Sequence, residues 1–172
     1  SHTVDFISAN GTAAGPLKRW LDQVDAFAVA GQELKAVQSE VPQFVRWARR
    51  CGWKAFAAPC STSERGGRSS GVFAAARAHV GTAPWPGTAD GILVPHRAAG
   101  CGIDAPLRGG LAMASVYLVC GAGLRDARQG FSPNRDILSH MAEAIRRLQC
   151  PWIIGGDFNI PPQDLIDSGW VK

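Results

Sequence analysis

The stretch Pro151-Trp152-Ile153-Ile154-Gly155-Gly156-Asp157-Phe158-Asn159-Ile160-Pro161-Pro162 constrains this chain more than any other. Trp152, Ile153 and Ile154 read as a short buried strand, and Pro161-Pro162 stop it because proline cannot donate to a sheet ladder. The two glycines let the backbone bend or approach another group closely. A carboxylate, Asp157, and an amide, Asn159, are thereby delivered at the strand's C-terminal end. In open α/β folds that is the side on which ligands bind. The motif alone is equally compatible with a plain turn, since Asp and Asn both favour turns.

At 172 residues the chain is a single domain, residues 1–172, long enough to bury a core. Its 46% hydrophobic and 19% charged content excludes disordered and fibrous classes. No apolar run reaches the roughly 20 residues of a membrane helix, and the N-terminus shows no signal-peptide pattern. The first residue is Ser1 rather than Met, so the chain is expected to be trimmed or cut from a longer one. Five cysteines, at 51, 60, 101, 120 and 150, form no C-x-x-C pair, which favours reduced thiols and an intracellular setting. The net charge is +4, and 14 of the 18 basic residues are arginine, whose planar fork suits phosphate.

Taken in order, Val4–Ala9 reads as a strand ending at Asn10-Gly11, followed by a helix with Leu17, Trp20, Leu21 and Val24 on one face. Asp25–Gly31 is a buried strand that runs into Gln32-Glu33. A second helix, capped by Ser39, carries Val41, Phe44, Val45, Ala48 and Cys51 inward and Arg46, Arg49 and Arg50 toward solvent. Trp53–Ala58 and Gly71–Arg77 are strands, separated by a flexible loop, Ser61–Ser70, that holds Arg65 and Arg68. The segment from His79 to Gly91 reads as loop. Short strands are expected over Ile92–Val94 and Ala98–Ile103, around Arg97, and a clearer one over Leu111–Val119 with Tyr117 near its end. Ser132-Pro133 opens a helix with Ile137, Leu138, Met141, Ala144, Ile145 and Leu148 on one face. Alternation of strands and helices predicts a layered α/β fold.

Asn10, Glu33, Tyr117 and the Asp157/Asn159 pair thus stand at the ends of four strands. Their order and context, in Ser8-Ala9-Asn10-Gly11, Gln32-Glu33, Ser70-Gly71-Val72, Val116-Tyr117 and Gly156-Asp157-Phe158-Asn159, resemble the endonuclease/exonuclease/phosphatase superfamily. That superfamily contains deoxyribonuclease-like, abasic-site-endonuclease-like and retroelement-endonuclease-like phosphodiesterases. The resemblance covers nearly the whole chain, and Gly-Asp-Phe-Asn is its most specific motif. It implies a four-layer α/β/β/α sandwich and metal-dependent phosphoester hydrolysis with Mg²⁺, or Mn²⁺ in its place. By resemblance, Glu33 is a metal ligand and Asp157 orients or deprotonates water. Asn159 hydrogen-bonds the phosphate or nucleophile, Tyr117 donates to a phosphate oxygen, and Asn10 supports the metal side.

In that superfamily a further Asp and then an Asp-His pair follow the motif. Here 13 residues follow Asn159, and His2, His79, His96 and His140 all precede it. The resemblance therefore implies an incomplete, truncated domain, inactive alone, with part of the second sheet absent and an apolar face left exposed. The expected substrate is DNA, with the nucleus among the intracellular locations. Two other readings stand beside it: a non-catalytic remnant that binds nucleic acid or protein, and a phosphodiesterase acting on phospholipid or inositol phosphates.

Overall fold

The structure, a computed structural model, describes residues 5–9, 14–124 and 132–169. Alternation along the strands builds the interior. In β2 (Ala28–Gln32) every residue is buried, so the strand must bury both faces. Val29 turns to one side, where it joins Ala55, Ala57, Phe73 and Ala75. Ala28 turns to the other, with Ala74 and Ala76. Successive side chains of a strand point to opposite faces, so this small-residue pattern gives a sheet covered on both sides.

The first sheet has the order β1 (Phe6–Ala9), β2, β6 (Val72–Arg77), β3 (Trp53–Ala58). Strands β1 and β2 are parallel and joined through α1 (Ala14–Gln23), whereas β6 runs antiparallel to both β2 and β3. On its outer face Leu17 and Leu21 of α1 and Ala48 of α2 (Val41–Arg50) close over Val29, Trp53 and Phe73. Arg46, Arg49 and Arg50 are exposed, as their helical spacing predicts.

The second sheet has the order β11 (Trp152–Asp157), β10 (Leu111–Tyr117), β9 (Ala98–Ile103), β7 (Thr82–Pro84), with β8 (Ile92–Val94) also paired to β9. Strands β10 and β11 are parallel; the other pairings are antiparallel. Ile137 and Met141 of α3 (Pro133–Arg146) cover its outer face over Ala112, Ala114 and Val116. Ser132 caps α3 by accepting the Asn134 backbone N–H. Between the sheets, Ala28, Ala74 and Ala76 meet Cys101, Ile103 and Met113, with Phe6, Phe27 and Phe56 around them. The architecture is the expected four-layer α/β/β/α sandwich.

Local differences have local causes. Residues 79–91 are not all loop: β7 pairs with β9, and Trp85 is buried against Ala98 and Ala112 despite its flanking prolines. Pairing across a sheet is a long-range event that Gly/Pro content does not report. The N-cap of the second helix is Glu40, not Ser39, and makes no side-chain cap bond, because the Glu40 carboxylate instead accepts the Val37 N–H and the Arg68 guanidinium. The 61–70 loop contains a small hairpin, β4 (Ser61–Thr62) with β5 (Arg68–Ser69). Pro161-Pro162 end β11 and start a short helix, α4 (Pro162–Asp167). All five cysteines are free thiols.

Candidate active site

The two sheets deliver their polar residues to one end. Gln32 and Glu33 at the end of β2 touch Ser115 and Tyr117 at the end of β10, so the chain leaves both strands on the same side. Strand β11 is parallel to β10, and its register sets Tyr117 opposite Asp157. Close packing requires both glycines of the motif, Gly155 against the first sheet and Gly156 against its neighbouring strand β10. A Cβ on Gly155 would lie 2.7 Å from Phe6 Cζ and 3.0 Å from Ala30 Cβ, and one on Gly156 would lie 2.4 Å from the Val116 carbonyl oxygen. Close approach, rather than bending, is what this Gly-Gly pair provides.

Glu33 is the first residue beyond the β2 ladders and has φ +60°, in the left-handed region. For a residue with a Cβ this conformation costs about 1–2 kcal/mol. It breaks the strand alternation. Gln32 already faces the second sheet, and a regular strand would turn Glu33 toward the helices; instead both reach β10. The Tyr117 hydroxyl donates to Glu33 Oε1 at 2.8 Å, linking the two sheets. Lys35 Nζ lies 3.5 Å from Glu33 Oε2.

Asp157 and Asn159 do make the turn that their residue types favour. The Asn159 N–H donates to Asp157 Oδ1 at 3.2 Å, and Asn159 itself has φ +48°. Its side chain also works at longer range, with Nδ2 donating to the Leu118 carbonyl at 2.9 Å and tying the turn to the end of β10. The turn and the cluster are therefore one structure. Burial pushes the Tyr117 phenol up to about 12, reinforced by the hydrogen bond to Glu33 and by the charges of Glu33 and Asp157, while Arg97 works against the shift. Tyr117 is consequently a proton donor at neutral pH. Arg97 sits with Cζ 5.4 Å from the centre of the Tyr117 ring. Burial lowers its guanidinium from its usual value.

Glu33, Tyr117, Asp157 and Asn159 are thus brought together, and all four are half-buried. Asn10 lies outside the described residues. Arg65 and Arg68 are on the β4–β5 hairpin, and Arg68 is engaged by both Glu40 oxygens, at 2.8 and 2.9 Å. The sequence motifs did not single out Ser115, the buried partner of Gln32. A signal existed: it is the polar residue in Leu-Ala-Met-Ala-Ser-Val-Tyr two positions before Tyr117, hence on the same strand face. The assembled donors are carboxylate, phenol and amide oxygens, a hard set suited to Mg²⁺, which keeps several waters and needs one or two protein carboxylates. Among the described residues no group of three or more His, Cys, Asp or Glu is placed to enclose a metal. The set fits a partly hydrated ion and no protein-enclosed one.

The fold has solved counterparts. The 3' phosphatase NExo from Neisseria, solved bound to a product DNA hairpin, matches with TM-score 0.59 at 17% identity, over 93% of this chain and 59% of that one. The 3'-5' exonuclease NExo from Neisseria meningitidis matches with TM-score 0.57 at 18% identity, over 92% and 59%. The AP endonuclease LMAP from Leishmania major matches with TM-score 0.58 at 16% identity, over 89% and 54%. The chain therefore spans less than two thirds of the length of these structures. No protein-family model matches the sequence, and no curated protein does. At these identities the likeness is one of fold.

Proposed function

From the premise that this chain has the fold of the endonuclease/exonuclease/phosphatase superfamily, we propose that it supplies one wall of a metal-dependent phosphodiesterase site acting on DNA. The observation that carries the reading is the 2.8 Å bond between Tyr117 and Glu33 across the two sheets, with Asp157 in register beside Tyr117. A four-residue polar cluster at the strand ends of a sandwich is costly unless it is used, because half-buried carboxylates and a strained Glu33 both oppose folding.

In this reading Glu33 holds Mg²⁺, with Mn²⁺ as a substitute, and Asn10 supports that side. The ion, when bound, supplies positive charge to the phosphate and lowers the pKa of water. Asp157 keeps one oxygen on the turn and directs the carboxylate toward the attacking water, orienting or deprotonating it. Asn159 uses one N–H to fix its own position on Leu118, and the other is available to a phosphate oxygen or the nucleophile. Tyr117, protonated at neutral pH, transfers its hydrogen bond from Glu33 to the phosphate oxygen that gains charge. Arg97, at the rim, adds a cation for the nucleic-acid backbone. NExo, solved with a DNA hairpin, and the abasic-site endonuclease LMAP support DNA as the substrate class.

Nicking of supercoiled plasmid with Mg²⁺, with Mn²⁺ and with EDTA, by a full-length parent protein that joins this wall to the remainder of the site, tests this directly. Metal-dependent nicking abolished by Glu33→Gln and Asp157→Asn is expected; equal rates with and without EDTA would refute it. The Lys35 ammonium near Glu33 favours a second reading, in which an internal cation occupies the metal side and the chain binds nucleic acid without turnover. Salt-sensitive DNA binding with no nicking distinguishes that case.

A further inference from the structure

Gln32 is 1% exposed and Ser115 is fully buried, and their register partners on the neighbouring strands, Val72 and Ala99, are fully buried apolar residues. A primary amide in such surroundings is unfavourable unless its groups are hydrogen-bonded. Here Gln32 Nε2 donates to Ser115 Oγ at 2.9 Å, Ser115 Oγ donates to the Gly31 carbonyl at 2.9 Å, and Ser8 Oγ donates to Gln32 Oε1 at 3.3 Å. The chain of bonds leaves β2, crosses to β10 and returns to the β2 backbone one residue earlier. It closes a ring around the Gly31–Gln32 peptide, with β1 attached through Ser8.

The place of this ring in the fold matters. Among the described residues the ladder from β2 to β1 runs to Gly31, and the ladder from β2 to β6 runs to Gln32. Glu33, in its left-handed conformation, follows immediately. Downstream it is held by the Leu34 N–H bond to the Gly71 carbonyl at 2.9 Å. Upstream the sheet-crossing bridge does that work. We infer that Gln32 is a positioning residue, whose buried amide bridge to Ser115 sets the spacing of β2 and β10 and thereby fixes the Glu33 carboxylate at the Tyr117 hydroxyl. The inference rests on the phosphodiesterase reading for its consequence, metal affinity, and on the fold alone for its geometry.

Both consequences are measurable on the chain itself. Mn²⁺ binding is followed by the loss of the free-ion EPR signal. The chain contains one tyrosine, so ¹³Cζ-labelled tyrosine gives a single resonance that reports the hydrogen bond of Tyr117. Gln32→Met, close in size but without the amide, and Ser115→Ala are each expected to weaken Mn²⁺ binding by about tenfold, the usual scale for losing an outer support of a metal ligand. Both should move the tyrosine resonance toward that of Glu33→Gln, and the double variant should do no more than either single one. Met141→Ala, under α3 on the far face, is the control for lost stability and should leave both readouts unchanged. The inference is overturned if Gln32→Met and Ser115→Ala match wild type, or change only as much as Met141→Ala does at equal loss of Tm. If wild type binds no Mn²⁺, the metal reading of Glu33 fails. The tyrosine resonance then still decides the inference, since an unshifted signal in Gln32→Met rejects it and a shifted one supports it.

Discussion

Gly71 and Gly87 have nearly the same backbone, φ +84° and +86°, and opposite surroundings. A Cβ on Gly87 would meet nothing within 4 Å, whereas one on Gly71 would lie 2.1 Å from the Leu34 carbonyl oxygen and 3.1 Å from the Cys60 nitrogen. Alanine at 87 therefore bears only the left-handed conformational cost, about 1 kcal/mol. Alanine at 71 bears the same cost and must also push backbone aside. Ordinary contact begins at 3.4 Å, so the Leu34 segment must move by over 1 Å, at an overpacking cost of about 1–3 kcal/mol. The move also strains the Leu34 N–H bond to Gly71 and the Gly71 N–H bond to His96, at 2.9 and 3.0 Å. The expected total is about 2–4 kcal/mol for Gly71→Ala. At about 2–4 °C per kcal/mol for a domain this size, Tm should fall by roughly 4–16 °C, against roughly 2–4 °C for Gly87→Ala. Thermal melts of the two variants by circular dichroism compare them directly. Equal Tm losses would refute the argument that Gly71 is required by the close approach of residue 34, and with it the account of how Glu33 is held from downstream.

Tyr117, with its phenol pushed from 10.0 up to about 12, retains its proton better in the folded state than in the unfolded one. Its contribution to stability is full below pH 10 and is lost as pH rises through 12, so melts at pH 11 should give lower Tm than at pH 9, and absorbance at 295 nm should titrate above free tyrosine. Glu33→Gln should lower that midpoint; a wild-type midpoint at 10 would contradict the buried bond. Asn134, fully buried, accepts the Val119 N–H at 2.6 Å and donates to the Val119 and Gly123 carbonyls. Asn134→Ala should cost about 2–3 kcal/mol by urea denaturation because it strands buried backbone groups. If Arg97 contacts a phosphate, Arg97→Ala should reduce the slope of log affinity for DNA against log salt by about 1 in binding titrations. Trp152 is 49% exposed on β11, which ends the second sheet among the described residues. Trp152→Lys should suppress concentration-dependent association in light scattering, and no change would remove this face as its cause.

Much of the fold was legible because its signals are local. The Trp53–Ala58 strand and the helix opening at Ser132-Pro133 appear where apolar period and capping place them. The Gly-Gly-Asp-Phe-Asn segment likewise announced both a strand end and a polar pair. Less legible were β7, whose identity depends on β9, and the start of α2, where Glu40 is drawn away by Arg68 from a hairpin some 28 residues on. The site divides similarly. Glu33, Tyr117, Asp157 and Asn159 could be named from strand ends and motif order, whereas Ser115 looked like an ordinary polar residue in an apolar strand.

Which residues stand at strand ends can be read from the amino-acid order, because alternation, turn formers and helix caps are properties of neighbouring residues. That order also shows Gly155 and Gly156 preceding the carboxylate, without saying why. It took the packed fold to show that Gly155 serves the approach of two sheets, that Glu33 turns against the strand alternation to reach Tyr117, and that Gln32 and Ser115 join beneath them. Each of those depends on the distance between β2 and β10, which is set by how two separately formed sheets pack and is encoded by no single stretch of chain.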